Sequence, residues 1–403
     1  MALQLAKRMT GLKASEVREL LKITQRDEII SFAGGLPAPD LLPVTELQQA
    51  TRKVLDEHGP QALQYSTTEG YLPLREKIAQ RMRSKLGIPA ASEEILITTG
   101  SQQALDLTGK LFLDEGDTVL CESPTYMGAM SALQVFNPRW VEVPTDEEGM
   151  DVDALERRLE FCDRIKLIYV VPDFQNPTGI TWSMERRRRF AEVVMKYPVA
   201  VVEDNAYGEL RFEGMPLPPI KSFDTKGNIV YISTFSKILS PGMRIGWLMA
   251  SSPLYEKYVI LKQGSDLHTS TLCQMQVATY LDMFDIDKSL ARMRAVYRDR
   301  RDAMIRALER EMPKGVRFSR PSGGLFLWME LPPHMDAREL LRRALERNVA
   351  FVPGGGFFAK GNKENTLRLS YSTMPIARIE DGIRRLASAV REMLDTEGVS
   401  MLK

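Results

Sequence analysis

The sequence predicts an α/β protein with a large domain built on a mostly parallel sheet and a smaller α+β domain. Between residues 94 and 251 short apolar segments alternate with helical segments, which is typical of a parallel sheet with crossover helices. After about residue 290 this alternation gives way to long charged helices and separate strands. The length of 403 residues also exceeds what a single hydrophobic core usually serves.

Before the sheet, the sequence predicts three helices and one extended segment. A short helix covers residues 15–24, with Ser15 as its N-cap and apolar residues recurring on one face. The Gly/Pro-rich segment IISFAGGLPAPDLLP follows in an extended form. Two longer helices come next, and Gly59 and Gly87 mark their ends.

Six short apolar strands are predicted for the large domain, and a helix follows each of the first three. The strands read EILITTG, DTVLCESP, KLIYVV, VAVVE, NIVYI and RIGWLMAS. The third helix carries the run Arg186–Arg189, which we interpret as a solvated face because the net charge of the chain is close to zero.

The last third of the chain predicts the smaller domain. A long charged helix, SLARMRAVYRDRRDAMIRALEREM, leads into the segments GGLFLWMEL, VAFVPGGGFF and TLRLSYS and a closing helix. We therefore expect an N-terminal arm at residues 1–45 that contributes to the small domain, a large domain at residues 46–290 and a small C-terminal domain at residues 291–403.

The bulk composition argues against several classes of function. The formal net charge is +1 and no stretch of about 18 apolar residues occurs, so we expect neither a nucleic acid nor a membrane as a partner. The three cysteines and three histidines are scattered, which argues against a disulfide framework, a metal site and a Ser-His-Asp hydrolase. Scattered cysteines and the lack of an apolar signal segment predict a cytoplasmic protein.

Polar residues follow four of the predicted strands. The segment 100–102, Gly-Ser-Gln, opens a helix after the first strand, and Asn176 lies in a Pro-flanked turn after the third. Asp204 and Tyr207 follow the fourth strand, and Lys237 follows the fifth. Because ligands of open parallel sheets bind outside the carboxyl ends of the strands, we expect these groups to surround one ligand. Each group alone also fits an ordinary turn or helix start, so the prediction depends on their conjunction.

An anion site, an acid, a phenol and an amine are the groups that pyridoxal 5′-phosphate (PLP) chemistry requires. The amine condenses with the aldehyde to give a Schiff base, and a carboxylate keeps the pyridine nitrogen protonated so that the ring accepts electrons. Backbone N–H groups at a helix start, hydroxyls and an arginine hold the phosphate. The sequence contains neither a strict G-x-G-x-x-G nor a Walker A motif, which disfavours dinucleotide and nucleoside-triphosphate enzymes.

The sequence resembles the class I and II aminotransferases of PLP fold type I, and within them the 2-aminoadipate, or α-aminoadipate/kynurenine, aminotransferase subgroup. The likeness covers nearly the whole chain and rests on the segments ISFAGGLPAPDLLP, LQYSTTEGYLPLR, ITTGSQQALDL, PDFQNPTG, VVEDNAYGEL, STFSKILSPGMRIGW and ENTLRLSYS. The resemblance implies a mostly parallel seven-stranded sheet in the large domain, and a homodimer with shared active sites.

Residue by residue, the resemblance implies roles at the cofactor. Lys237 resembles the Schiff-base lysine and Asp204 the partner of the pyridine nitrogen, and these two residues form the catalytic group together with Tyr207. The other implied cofactor ligands are Gly100, Ser101, Gln102, Tyr126, Asn176, Thr234, Ser236 and Arg244, with Tyr65 reaching the phosphate of the neighbouring subunit.

The resemblance also implies a substrate site. Arg368 resembles the arginine that binds the substrate α-carboxylate, with Asn176 assisting, and Gly35 lies in the segment whose backbone lines the pocket. Ser15 and Arg18 correspond to positions that can meet the substrate side chain. A guanidinium at position 18 suits the distal carboxylate of 2-aminoadipate or glutamate. The alternative is a solvated arginine on an amphipathic helix.

The implied activity is transamination from an L-amino acid of the 2-aminoadipate type to 2-oxoglutarate, by a ping-pong mechanism. The first alternative is an aminotransferase of broad specificity for aromatic, kynurenine or branched-chain amino acids. β-Elimination or cyclisation on the same cofactor is a second alternative. The sensor half of a bacterial transcription regulator is a third, which is disfavoured by the near-neutral charge and by an aminotransferase pattern that begins near residue 15.

Overall fold

The computed structural model describes residues 3–9, 26, 28–361 and 363–400. Fourteen strands lie within these residues: β1 Ile30–Ser31, β2 Ile95–Thr98, β3 Thr118–Ser123, β4 Arg139–Asp146, β5 Gly149–Met150, β6 Ile165–Val170, β7 Ala200–Asp204, β8 Ile229–Thr234, β9 Gly246–Met249, β10 Arg317–Phe318, β11 Phe326–Glu330, β12 Val349–Ala350, β13 Val352–Pro353 and β14 Thr366–Ser370.

Eleven α-helices lie in the same described ranges. They are α1 Val44–Ala62, α2 Leu72–Arg81, α3 Ser101–Phe112, α4 Met127–Leu133, α5 Val152–Phe161, α6 Met184–Val194, α7 Ser252–Gln263, α8 Thr271–Met283, α9 Ile286–Glu311, α10 Ala337–Leu345 and α11 Ile376–Ser400. Across the described part of the chain, no helix combines the length and the apolar character that a membrane span needs.

The largest sheet has eight strands in the order β2-β9-β8-β7-β6-β3-β4-β5. Strands β8, β7, β6, β3 and β4 are parallel, and β9 is antiparallel to both β2 and β8, so β2 runs in the common direction. All six strands predicted from apolar runs are present. The carboxyl ends of β2, β3, β6, β7 and β8 therefore meet along one edge of the sheet, where ligands of such sheets bind.

The sheet has one strand more than the seven implied by family resemblance. The extra strand is the two-residue β5, which pairs antiparallel with the end of β4. Gly149 makes the tight turn possible, because its φ of 114° is unfavourable for any residue with a side chain. Strand β4 was also missed among the apolar runs, since it lies near the edge of the sheet and several of its side chains are partly exposed.

Both faces of this sheet are buried. Along β6, Leu167 and Tyr169 belong to one hydrophobic core, whereas Ile168 and Val170 belong to a second core on the opposite face. Side chains alternate between the faces of a strand, so a strand buried on both faces becomes a continuous apolar run. This is why the central strands were recognisable in the sequence.

The C-terminal part of the chain forms a four-stranded antiparallel sheet in the order β10-β11-β14-β13. Strand β1, near the N-terminus, pairs in parallel with β12, so the N-terminal segment joins the C-terminal part of the molecule. The predicted domain boundary at residue 290 falls within α9, which packs against α11. The division into an arm and two domains stays a prediction.

Two local predictions were wrong, and a third lies outside the described residues. Helix α1 does not end at Gly59 but is interrupted at His58 (φ −136°) and continues to Ala62. The run in α6 is not wholly solvated, because Arg187 is fully buried and pairs with Asp173 at 2.7 Å. Position 187 lies on the apolar face of the helix, and a buried carboxylate there compensates its charge. The predicted helix at residues 15–24 lies outside the described residues.

Candidate active site

An anion site lies where β2 ends and α3 begins. Gly100 precedes the helix with a φ of 72°, and a Cβ atom at this position would lie 2.5 Å from Nη2 of Arg244. The backbone also approaches closely at Gly246, where a Cβ atom would lie 2.8 Å from the nitrogen of Ser101. The backbone at the start of α3 thus lies next to the guanidinium of Arg244, and N–H groups at a helix start beside a guanidinium are an arrangement that binds phosphate.

A buried lysine, Lys262, hydrogen-bonds to residues near the start of α3, and it was not predicted from the sequence. Nζ of Lys262 donates to Gln103 Oε1 at 2.8 Å, to Asp266 Oδ1 at 2.8 Å and to Thr269 Oγ1 at 3.0 Å. Thr99 joins the network, donating its N–H to Gln103 and its hydroxyl to Asp266. The only sequence signal was the i,i+4 spacing of Lys262 and Asp266, which is common on any helix.

A buried carboxylate lies at the end of β7. Oδ2 of Asp204 accepts a hydrogen bond from the hydroxyl of Tyr169 at 2.9 Å. Its other oxygen, Oδ1, is buried and has no hydrogen-bond partner among the residues described. Burial raises the pKa of Asp204 to about 6. An unpaired buried oxygen is costly, so this atom is suited to a ligand that brings an N–H donor or a positive charge.

The amine of Lys237 lies close enough to Asp204 for the charge of the carboxylate to affect the pKa of the lysine. Nζ donates to the carbonyl oxygen of Gly35 at 3.0 Å. Burial, followed by the positive charges of Arg368 and Arg244, lowers the pKa of Lys237 to about 8, and the charge of Asp204 opposes that shift. The lysine therefore loses its proton far more readily than an exposed lysine does.

The turn that carries Lys237 is fixed by hydroxyl groups. Oγ1 of Thr234 accepts the N–H of Ser236 at 3.0 Å and lies 2.9 Å from its Oγ. The same oxygen lies 3.1 Å from the carbonyl of Ile245. Thr234 thus orders the chain just before the lysine, whereas Ser236 is the hydroxyl next to the lysine itself.

A buried cation faces the lysine from β14. Nη1 of Arg368 donates to Asn176 Oδ1 at 2.8 Å, and Nη2 donates to the carbonyl of Ala33 at 2.7 Å. Its guanidinium carbon lies 4.2 Å from the ring centroid of Phe326. Burial lowers the pKa of Arg368 to about 10. The Nε atom is unpaired within the described residues, so the guanidinium can still bind an anionic ligand.

Two phenols and an amide complete the group. Nδ2 of Asn176 donates to the hydroxyl of Tyr207 at 3.4 Å. Tyr126, which precedes α4, lies close enough to influence the pKa values of Tyr207 and Arg368. Gln102 differs from the others, since it is exposed and its amide donates to the carbonyl of Gly128 at 2.9 Å.

The structure brings most of the predicted residues together. Lys237 donates a hydrogen bond to Gly35 and lies near Asp204. Arg368 lies close enough to lower the pKa of Lys237, and it donates a hydrogen bond to Asn176. Tyr65 is not part of this group in the chain itself. Its side chain is 79% exposed, and its ring packs edge-on against His268. The predicted residues at positions 15 and 18 lie outside the described residues.

Comparison with known proteins finds an aminotransferase family model and aminotransferase relatives that match nearly the whole chain. The sequence model described as "Aminotransferase class I and II" matches residues 28–386. The aromatic-amino-acid aminotransferase 1 of Thermococcus litoralis is 45% identical over 386 residues, covering 95% of this chain and 93% of that protein. The 2-aminoadipate transaminase of Thermus thermophilus is 50% identical over 386 residues, covering 95% of each chain.

A solved structure extends the comparison to three dimensions. The crystal structure of the Pyrococcus horikoshii kynurenine aminotransferase, in complex with PMP, KYN as substrates and KYA as products, has a TM-score of 0.93. The two sequences are 41% identical, and the superposition covers 97% of each chain.

Proposed function

The chain belongs to the class I and II aminotransferase family, and on this premise we propose that it transfers the amino group of an L-amino acid of the 2-aminoadipate type to 2-oxoglutarate by a ping-pong mechanism. The chain is a transaminase, and its cofactor is pyridoxal 5′-phosphate. The observation that supports the proposed site most strongly is the buried carboxylate of Asp204, whose Oδ1 has no partner among the described residues. Lys237 lies close enough for its charge to oppose the rise in the pKa of Asp204.

The residues fit this cofactor. The unpaired oxygen of Asp204 suits the N–H of a protonated pyridine ring, and the site formed by Gly100, Ser101 and Arg244 suits a phosphate. The lowered pKa of Lys237 suits an amine that must form a covalent bond to an aldehyde. When bound, the cofactor accepts the electron pair left at the substrate Cα after proton removal.

The amine of Lys237 then has two tasks in sequence. In its neutral form it would hold the cofactor by condensing with its aldehyde, with loss of water, and as a free amine it would be the base for the substrate Cα proton. The carbonyl of Gly35, 3.0 Å away, accepts a hydrogen bond from the freed amine and keeps it over the site. Tyr207 and Asn176 are proposed to bind the ring oxygen of the cofactor, and Tyr126 to stack on the ring.

Arg368 is proposed to bind the substrate α-carboxylate. The ring centroids of Phe326 and Phe357 lie 4.2 and 5.2 Å from Cζ of Arg368, which is 4% exposed. A buried guanidinium prefers a charged partner, and a carboxylate accepts two of its N–H groups at once. Both the amino acid and the 2-oxo acid carry this carboxylate, so one site serves both halves of the reaction.

The pH dependence of cofactor capture should report the environment of Lys237. With a pKa of about 8 rather than 10.5, the neutral amine is roughly 300-fold more abundant at neutral pH. We expect the rate at which the apoprotein captures pyridoxal 5′-phosphate to rise with pH and to level off above about pH 8. Stopped-flow absorbance between about pH 6 and 10 measures it, and a rate that still rises near the upper limit would contradict the assignment.

Two candidates for the amino donor follow from the relatives and from position 18. The 2-aminoadipate type is supported by the 50% identity to the Thermus thermophilus enzyme and by a basic residue at position 18. The names of the Thermococcus litoralis and Pyrococcus horikoshii relatives favour a second candidate, an aminotransferase of broad specificity for aromatic amino acids or kynurenine. Branched-chain donors belong to the same candidate.

A screen of single half-reactions decides between these two candidates. The enzyme is mixed with each amino acid separately, and the loss of the absorbance of the lysine-bound cofactor is followed.

We expect Arg18→Ala to raise KM for 2-aminoadipate by about tenfold or more, which is the contribution of one hydrogen bond between charged groups, and to leave KM for leucine unchanged. Equal changes for both donors would remove Arg18 from the substrate site.

We also propose a homodimer with shared active sites. Tyr65 is exposed and lies outside the site of its own chain, where its ring contacts His268. Leu63 and Leu267, close to this pair in the sequence, are 73% and 46% exposed. A second chain packed there would bury these side chains and receive Tyr65 at its phosphate site. We also propose the division into an arm and two domains, from the change in sequence pattern near residue 290, and a cytoplasmic location, from the scattered cysteines and the lack of an apolar signal segment.

A further inference from the structure

A second buried carboxylate lies at the same edge of the sheet but outside the predicted site. Glu122, near the end of β3, is 1% exposed. Its Oε2 accepts the backbone N–H of Val171 at 2.9 Å, and its Oε1 accepts the indole N–H of Trp182 at 2.9 Å. These two donors are the first and last residues of one loop, which we call the Asn176 loop (residues 171–182).

The carboxylate of Glu122 closes the Asn176 loop together with hydrogen bonds of the loop itself. The N–H of Trp182 donates to the carbonyl of Pro172 at 2.8 Å. Inside the loop, the side chain of Gln175 donates to the carbonyl of Pro124 at 3.0 Å and lies close enough to Glu122 to oppose the rise in the pKa of that carboxyl. The carboxylate therefore holds both ends of the loop and lies beside the residue that directly precedes Asn176.

Asn176 is the point where the loop meets the site. Its oxygen accepts from Arg368 at 2.8 Å, and its amide nitrogen donates to Tyr207 at 3.4 Å. A shift of the loop would change both contacts at once, because they leave from opposite ends of one planar amide. The position of Arg368 thus depends on groups that Glu122 fixes.

We propose that Glu122 is a positioning residue for substrate binding, which closes the Asn176 loop and so keeps Asn176 where it orients Arg368. This inference rests on the proposed role of Arg368 as the site of the substrate α-carboxylate. Arg368, which is proposed to bind every amino acid and 2-oxo acid substrate, would then be held in position by Glu122, which is not proposed to contact the substrates.

The variant Glu122→Gln tests the proposal with little change in shape. The donors of Val171 and Trp182 are both N–H groups, so the new amide must point its own NH₂ at one of them and lose that hydrogen bond. We expect KM for the amino acid and for the 2-oxo acid to rise about tenfold with kcat nearly unchanged, and the dissociation constant of the cofactor to rise less, because Asn176 is only one of its proposed ligands. Because burial raises the pKa of Glu122 to about 7, the assay is run at about pH 8.5, where the wild-type carboxylate is ionised.

A matched control separates positioning from general loss of stability. Glu203, on β7, is equally buried and accepts the N–H groups of Ile220 and Lys221 at 2.8 and 2.7 Å. Glu203→Gln creates the same conflict between donors in a loop that carries no predicted site residue. We expect it to lower the melting temperature as Glu122→Gln does, and to leave KM unchanged.

A rescue experiment makes the prediction specific to Glu122. Trp182→Phe removes one of the two donors, so in the double variant the new NH₂ at position 122 faces no indole N–H group, while the amide oxygen still accepts from Val171. The double variant Glu122→Gln/Trp182→Phe should therefore have a lower KM than Glu122→Gln alone. Additive KM changes, or equal KM values in Glu122→Gln and Glu203→Gln, would overturn the proposal. If the wild-type enzyme converts no amino acid at all, the proposed function falls and takes this inference with it.

Discussion

Replacing Lys237 with alanine is expected to abolish transamination and the visible absorbance of the covalently bound cofactor. The variant loses both the amine that holds the cofactor and the group that takes the Cα proton. General acid–base catalysis alone is worth on the order of 10² to 10⁴ in rate, and the loss of covalent attachment adds to it. We therefore expect turnover to fall by about 10⁴-fold or more, measured by coupled assay with reconstituted protein.

The control for this variant is another lysine. Lys196 is exposed, follows helix α6 and pairs with Glu156 at 2.8 Å. Lys196→Ala should keep both the absorbance and the turnover of the wild-type enzyme, because an exposed ion pair contributes little. Retention of turnover in Lys237→Ala would mean that a different amine carries the chemistry.

The second large effect is expected for Asp204→Asn. The amide keeps the shape and accepts from Tyr169, but its NH₂ replaces the oxygen that has no partner among the described residues. It then donates to the ring nitrogen instead of stabilising a proton there, so the ring accepts electrons less well. We expect kcat to fall on the order of 10²- to 10³-fold, the effect of losing one preorganised electrostatic contact.

Covalent capture should survive in Asp204→Asn, since Lys237 is intact, and the absorbance of the bound cofactor reports this. The comparison variant is Tyr169→Phe, which removes the hydrogen bond at 2.9 Å and leaves the charge of Asp204 in place. A hydrogen bond to a charged group is worth about 1.5–3 kcal/mol, but only the part that changes between ground state and transition state affects kcat, so this variant should lose about tenfold. Equal losses in the two variants would mean that the charge of Asp204 is not what matters.

The sequence predicted the parts of the fold that depend on local patterns. Strands buried on both faces became apolar runs, and the groups at their carboxyl ends met as expected for parallel strands. Strand β4 and the hairpin strand β5 were missed because an edge strand needs no continuous apolar run. Arg187 was wrongly predicted to be solvated because no local sequence pattern indicates that it pairs with the buried Asp173.

The supporting groups of the site were missed for a related reason. Tyr169 and Asp204 are 35 residues apart, Glu122 and Trp182 are 60 apart, and Lys262 and Gln103 are 159 apart. Each pair is formed by strand register and helix packing, which single motifs do not encode. Of the residues proposed to contact the cofactor, those at the strand ends were predicted from their chemistry and position, whereas others, such as Tyr126 and Arg244, were predicted only from the family resemblance.

The most direct test of the central claim is chemical trapping. The protein is reconstituted with pyridoxal 5′-phosphate, reduced with borohydride, digested and mapped by mass spectrometry. A single phosphopyridoxyl adduct on the peptide that contains Lys237 is the predicted result. An adduct on any other lysine, or none at all under conditions where the cofactor binds, would contradict a site built around Lys237 and Asp204.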